Sequence, residues 1–224
     1  MPTDHNQTGS HGAGLEPPDQ EVLQLALLRV VSFAREWHGQ PGRSIETLPE
    51  AVGAELRFLA LPAPTSILGL SVKIGQGTPL MILNEDLIKR PSYKQLTICH
   101  EAFHIVAGFD GIARCDTSWR SDPMERLAWL GPALFMVPEE VVTESMADGF
   151  RTMAAAARHG VHPSFAAQRV AIAVVEGKAP GDPARAMAFL DASAYALCAW
   201  TMMVDGMVPP SADVYDMWPY PVPT

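Results

Sequence analysis

The 224-residue chain carries 25 acidic against 16 basic side chains, a net charge of −9 at pH 7, with 48% hydrophobic residues. Such an acidic balance argues against direct binding to nucleic acid, which needs clustered Lys and Arg, and suits a basic protein partner instead. Cys99, Cys115 and Cys198 are an odd number at no metal-finger spacing, so no disulfide framework is implied and a reducing cytoplasm is the expected compartment.

Residues 1–18 are rich in Thr, His, Asn, Gln, Gly and Ser and lack a basic stretch followed by an apolar run. They read as a disordered leader with His5 and His11 solvated, not as a signal peptide. Asp19 then caps a long helix on which Val22, Leu25, Ala26, Leu28, Arg29 and Phe33 follow with helical spacing up to His38-Gly39. After a turn at Pro41-Gly42, Ser44 caps a short helix to about Gly53. Three strand-like runs follow at 55–61, 67–74 and 78–84, the last two joined as a hairpin by Gly75-Gln76-Gly77.

Beyond a turn at 85–90, residues 93–108 read as an amphipathic helix. Leu96, Ile98, Phe103, Ile105 and Val106 are apolar, Pro91 precedes it and Gly108 ends it. Residues 109–120, with Asp110, Asp116 and Trp119, read as a polar surface loop. A further helix starts near Ser121-Asp122-Pro123 and is interrupted at Gly131-Pro132. Helices are expected at 138–158, 163–175 and 182–204, the last apolar on most faces and so buried or at an interface. Asp191 and Ser193 within its apolar stretch argue against a membrane span. Residues 208–224 are Pro-rich, with Tyr215, Trp218 and Tyr220, and read as extended. The expected division is a leader at 1–18, a core at 19–138, a helical C-terminal region at 139–205 packed on the core, and a tail at 206–224. The fold class is α+β, with a small, mainly antiparallel three-stranded sheet packed on the helix at 93–108.

That helix contains His100-Glu101-Ala102-Phe103-His104. Positions i and i+4 nearly eclipse on a helix, so both imidazoles reach one ion from one face. Glu101, about 100° round the helix, sits beside the ion as a general base. With seven His and thirteen Glu in the chain, an accidental His-Glu-x-x-His is roughly a one-in-a-hundred event, and two unpartnered histidines in an apolar helix would be costly to bury. Cys99 reads as a small buried hydrophobe, the lesser reading being that it or Cys115 binds the ion as an inhibitory thiolate. A catalytic zinc-type site takes three protein ligands. Spacing leaves Asp110, Asp116, Asp122, Glu125, Glu139, Glu140, Glu144 and Asp148 open as the third.

Met81-Ile82-Leu83-Asn84, then Gln95 through His104, then Glu125-Arg126-Leu127-Ala128 and Phe135-Met136-Val137-Pro138 resemble the ImmA/IrrE family of metallopeptidases, a gluzincin-like group. The likeness spans about residues 45–175 and includes Gly160-Val161-His162-Pro163 and Gln168-Arg169-Val170. It implies that a strand ending in Asn leads to the His-Glu-x-x-His helix and that Glu125 is the third ligand beside His100 and His104. The chain departs from the pattern at Phe103, where the family has a small residue, and at Trp129 and Gly131, where it has Asn and Phe.

The resemblance implies one divalent ion, zinc first and manganese as the alternative. Glu101 would accept a proton from water and return it to the leaving amine. The implied substrate is a helix-turn-helix transcriptional repressor controlling a mobile element or a DNA-damage response, with no direct contact to nucleic acid or membrane. Tyr93, Arg120, Arg151, His159, His162 and Arg169 are open as oxyanion donors, and the strand at 78–84 as an edge for an extended substrate. Two other readings compete: hydrolysis of a small amide, and a non-catalytic binding module with a structural or degenerate ion site. Neither the oligomeric state nor the switch for activity is legible.

Overall fold

The computed structural model describes residues 20–61, 67–86, 88, 91–115 and 122–204; the expected leader and Pro-rich tail lie outside the described residues. The first helix, α1 (Gln20–His38), buries Ala26, Leu27, Val30, Val31, Ala34 and Trp37, one stripe at three- and four-residue spacing. A 3-10 turn at Ile45–Thr47, with Ser44 at its N-cap, runs into the four-residue α2 (Leu48–Ala51). The long opening helix and the short helix after it are therefore where the sequence places them.

The sheet differs from expectation. It has four strands, β1 (Glu55–Leu59), β2 (Gly69–Lys73), β3 (Leu80–Asn84) and β4 (Gly111–Cys115), in the order β1-β3-β2-β4. β2 and β3 form the expected antiparallel hairpin, with Leu70 opposite Ile82, but β1 runs parallel to β3, with Arg57 opposite Ile82. The sheet is thus mixed, not a three-stranded antiparallel one. Local turn chemistry fixes a hairpin, whereas a parallel pairing needs a distant crossover that no local signal encodes. The fourth strand falls in the stretch read as a surface loop. Its Gly-Ile-Ala-Arg-Cys sequence has little strand character, and it pairs because β2 offers an open edge from Gly69 to Lys73.

β3 is interior, bonded on both sides, which removes it as an edge for a substrate. Its Met81 and Leu83 are fully buried, as a central strand's unbroken apolar run suggests. Asn84 closes it structurally: its Nδ2 donates to the Ile67 carbonyl at 3.0 Å and its Oδ1 accepts from Asp86 N–H at 3.2 Å.

Against the sheet lies α3 (Pro91–Ala107), also in contact with α1 and α5. Read as amphipathic, it is instead buried on nearly every face from Leu96 to Ile105. The sheet covers one side and α1 and α5 the other. Gly108, at φ 87°, ends it with the Gly108 N–H donating to Ile105 O. Phe103, the large residue inside the motif, is a fully buried member of the core.

The chain continues through α4 (Pro123–Ala128) and α5 (Gly131–Met136), interrupted at Trp129-Leu130 as Gly131-Pro132 leads one to expect. The single helix expected at 138–158 is two, α6 (Glu139–Ala147) and α7 (Thr152–Arg158). Gly149 and Phe150 both take left-handed conformations, φ 62° and 66°, and Phe150 N–H turns back to Ser145 O. Glycine permits that reversal, which helical periodicity alone does not reveal. α8 (Pro163–Val175) and α9 (Pro183–Val204) complete the layer.

One continuous buried cluster includes residues of α1, α3, α5, α6, α8 and α9. Arg169 of α8 pairs with Glu139 of α6 and lies 3.6 Å from Glu176, which also pairs with Arg35 of α1. Among the described residues, no helix is long and apolar enough to cross a membrane.

Candidate metal centre

α3 presents His100 and His104 one turn apart, and α4 brings Glu125 to them. Asp122 caps α4, accepting from the Met124 and Glu125 N–H groups at 2.8 and 3.4 Å, and Pro123 starts its first turn. That cap places Glu125 in the first turn, where its backbone is fixed and its side chain is buried rather than solvated. His100 Nε2 lies 3.2 Å from Glu125 Oε2, His104 Nε2 lies 3.2 Å from Glu125 Oε1, and the two Nε2 atoms are 3.2 Å apart.

Those spacings test whether an ion fits. Tetrahedral zinc with bonds of about 2.0–2.1 Å separates its ligand atoms by about 3.3 Å, so the three donors stand at one such face with little adjustment. The donor set, two imidazoles and a carboxylate, is also the right chemistry for a divalent ion. The buried group of His100, His104 and Glu125 can therefore hold a metal ion.

Electrostatics agree with a shared positive charge between these side chains. Burial drives the His100 imidazole toward its neutral form, against the pull of Glu125. Burial acts the same way on His104, but the hydrogen bond and charge of Glu125 outweigh it and raise His104. Burial alone would push Glu125 up, yet its two histidine partners hold it well below the ordinary carboxylate range.

Glu101 stands apart from the ligand set. Burial pushes its carboxyl up to about 8, partly offset by His104 and by the Ser71 hydroxyl. Ser71 Oγ donates to Glu101 Oε2 at 2.6 Å, and the other oxygen, Oε1, is buried with no hydrogen-bond partner among the described residues. Such a carboxylate can take up and return a proton.

The imidazoles are held by packing. The Trp129 ring lies 4.7 Å from the His100 ring and the Phe109 ring 5.8 Å from the His104 ring, while neither Nδ1 has a hydrogen-bond partner among the described residues. Gly131 sits where α5 meets the carbonyl of Cys99, one residue before His100. Ser71, Gly69, Trp129 and Phe109 are thus the site's supporting residues. Sequence reading missed Ser71 and Gly69, whose one cue is a polar and a small residue at buried positions of an apolar strand.

The remaining candidates are engaged elsewhere. Asp110 accepts from Gly75 N–H, Asp122 caps α4, Glu139 pairs with Arg169, and Glu144 pairs with Arg158 and His159. Glu140 and Asp148 are exposed. Of the oxyanion candidates, His162 caps α8, while Arg151 is exposed at the start of α7. Tyr93 is buried in the first turn of α3. Asp116, Trp119 and Arg120 lie outside the described residues, as does the side chain of Cys115. Cys99 is a fully buried free thiol, pushed up by burial and outside the ligand group, as its reading as a small hydrophobe expects. Compared with known proteins, the chain matches no protein-family model and no curated protein.

Proposed function

We propose that this chain is a metal-dependent endopeptidase whose substrate is a helix-turn-helix transcriptional repressor of a mobile element or a stress response. The observation that carries the reading is the division of labour at the site. Three side chains from two helices converge on one point, and a fourth, Glu101, is adjacent but not among them, with one carboxylate oxygen that has no hydrogen-bond partner among the described residues. His100, His104 and Glu125 would hold a divalent ion, zinc by donor set, which when bound polarises a carbonyl and eases deprotonation of water. Glu101 then receives the proton of the attacking water and delivers it to the leaving amine. Its raised affinity for protons suits both transfers. The choice of repressor as substrate, and of a cytoplasmic location, rests on the resemblance to the ImmA/IrrE family.

Near-complete burial of all four side chains favours a second reading, a closed structural ion in a non-catalytic binding module. Metal analysis together with cleavage of a repressor encoded beside the gene separates the two. Glu101→Gln keeps the ion and loses cleavage, and Glu125→Ala loses the ion. Full cleavage by Glu101→Gln would remove the general-base role, and wild-type metal content in Glu125→Ala would remove the third ligand. Cleavage of small amides but not of the repressor would replace the substrate class.

A further inference from the structure

Glu101 is fully buried, and among the described residues the only side-chain hydrogen bond its carboxylate makes is with the strand beneath α3. Ser71 on β2 donates to Oε2 at 2.6 Å, and its hydroxyl also lies 3.2 Å from the Glu101 backbone carbonyl. A hydroxyl has one proton, and the shorter contact, to Oε2, takes it.

Gly69 is two residues back on the same strand, and therefore on the same face. A Cβ there would stand 2.7 Å from Glu101 Oε1 and 2.6 Å from the Thr97 methyl. Thr97 cannot swing aside without losing the 2.8 Å bond from its hydroxyl to the Tyr93 carbonyl. One strand face therefore supplies a hydrogen bond to one carboxylate oxygen and an empty space for the other.

We infer that Ser71 and Gly69 are positioning residues that together set the direction of the Glu101 carboxylate. The inference rests on Glu101 being the general base, as proposed above. A serine that merely satisfied a buried acid would not require a glycine beside the second oxygen. The Ser71 bond holds the carboxyl group at Oε2, and the missing Cβ at Gly69 leaves Oε1 the room that this orientation needs. Oε1 is left to exchange a proton.

The experiment uses the full chain with 13C-labelled glutamate carboxyls, the Glu101 signal being assigned by its loss in Glu101→Gln. In metal-free protein the signal moves in Ser71→Ala and in Gly69→Ala, and returns in Ser71→Thr, which keeps the hydroxyl. With zinc added, both alanine variants hold as much of the ion as wild type, because the changes meet only the Thr97 and Glu101 side chains and Glu101 O on the sheet side of α3 and leave the crossing of α3 with α4 and α5 untouched. Their kcat for repressor cleavage falls about 10- to 100-fold with KM unchanged, the size expected when an orienting partner is lost. An unmoved carboxyl signal in both alanine variants overturns the inference, as does wild-type kcat in both. Gly69→Ala keeps the hydroxyl and Ser71→Ala keeps the space, so misfolding of one leaves the other decisive. Should wild type cleave no repressor, the proposed function falls, while the carbon signal still decides what holds Glu101.

Discussion

Replacing Gly131 by alanine puts two opposing effects on one atom. An alanine at the start of α5 has fewer unfolded conformations than glycine and favours the helix, a gain of about 0.4–1 kcal/mol. Against it, the added Cβ would lie 2.3 Å from Cys99 O, 2.7 Å from Cys99 C and 3.2 Å from His100 N. All three are backbone atoms of the interior of α3, so no side chain can rotate away. Restoring ordinary contact moves the helices apart by about 1 Å, and overpacking of this kind costs about 1–3 kcal/mol or more. With backbone on both sides the upper end applies, leaving a net loss of about 2 kcal/mol.

For a chain of this size that lowers Tm by about 4–8 °C, measured by thermal unfolding of the metal-free protein. Gly39→Ala is the control: its Cβ would meet Glu36 O at 3.4 Å and Arg35 O at 3.8 Å, both ordinary contacts, and Tm stays within about 2 °C of wild type. The displaced carbonyl precedes a ligand, so zinc affinity also falls in Gly131→Ala. A melting temperature matching wild type would refute the reasoning that Gly131 sets the distance between α3 and α5.

Other perturbations probe the remaining supports. Trp129→Phe keeps an aromatic ring beside His100 but leaves part of its space empty. Because the indole N–H has no hydrogen-bond partner among the described residues, the expected effect is about tenfold weaker zinc binding, read by competition with a chelating indicator; unchanged affinity would show that α3 alone orients the ring. Glu176→Leu removes the acid shared by Arg35 and Arg169, leaving Arg169 buried with Glu139 as its remaining acid. Removing one partner of a buried ion pair costs about 3–5 kcal/mol, so the unfolding free energy from denaturant titration falls by about that amount, whereas a shift under about 1 kcal/mol would show that the cluster is solvated. His38 is pulled toward its neutral form by burial, against its bond to the Leu134 carbonyl. Its folded pKa therefore lies below the unfolded value near 6.5. The stability it secures is present above that value and is lost as pH falls below it. His38→Gln should flatten the fall in Tm as pH drops below about 6.5, and an unchanged slope would assign the acid sensitivity to other groups.

The parts legible in the sequence are those with a local cause. The i, i+4 histidines, the Ser44 cap, the hairpin at Gly75-Gln76-Gly77 and the helix break at Gly131-Pro132 each depend on a few neighbouring residues. β4 and the parallel pairing of β1 with β3 do not. They are decided by which backbone edge is left open once the hairpin has formed, and Gly111-Ile-Ala-Arg-Cys carries no pattern of its own to announce it. The break after Asp148 escaped for a related reason. Phe150 enters a left-handed conformation that its side chain disfavours, and only the packed neighbours of α6 and α7 compensate for it.

The metal centre divides along the same line. His100, Glu101 and His104 are fixed to one another by helical geometry, so five residues suffice to name them. For Glu125 the spacing leaves eight acids open, and resemblance alone singles it out in the sequence. What chooses it physically is the crossing of α4 over α3, set by the Asp122 cap at one end and by the contact of Gly131 with Cys99 at the other. Both lie within six residues of Glu125, yet neither is a ligand. With no hydrogen bond on either Nδ1 among the described residues, the imidazoles depend on Trp129, Phe109 and that helix crossing for their direction. Strain at the crossing should therefore weaken the ion's hold, even where all three ligands remain. This is why Gly131→Ala, which alters no donor atom, is expected to change zinc affinity, while a surface substitution such as Met153→Ala, at a side chain 74% exposed, is not.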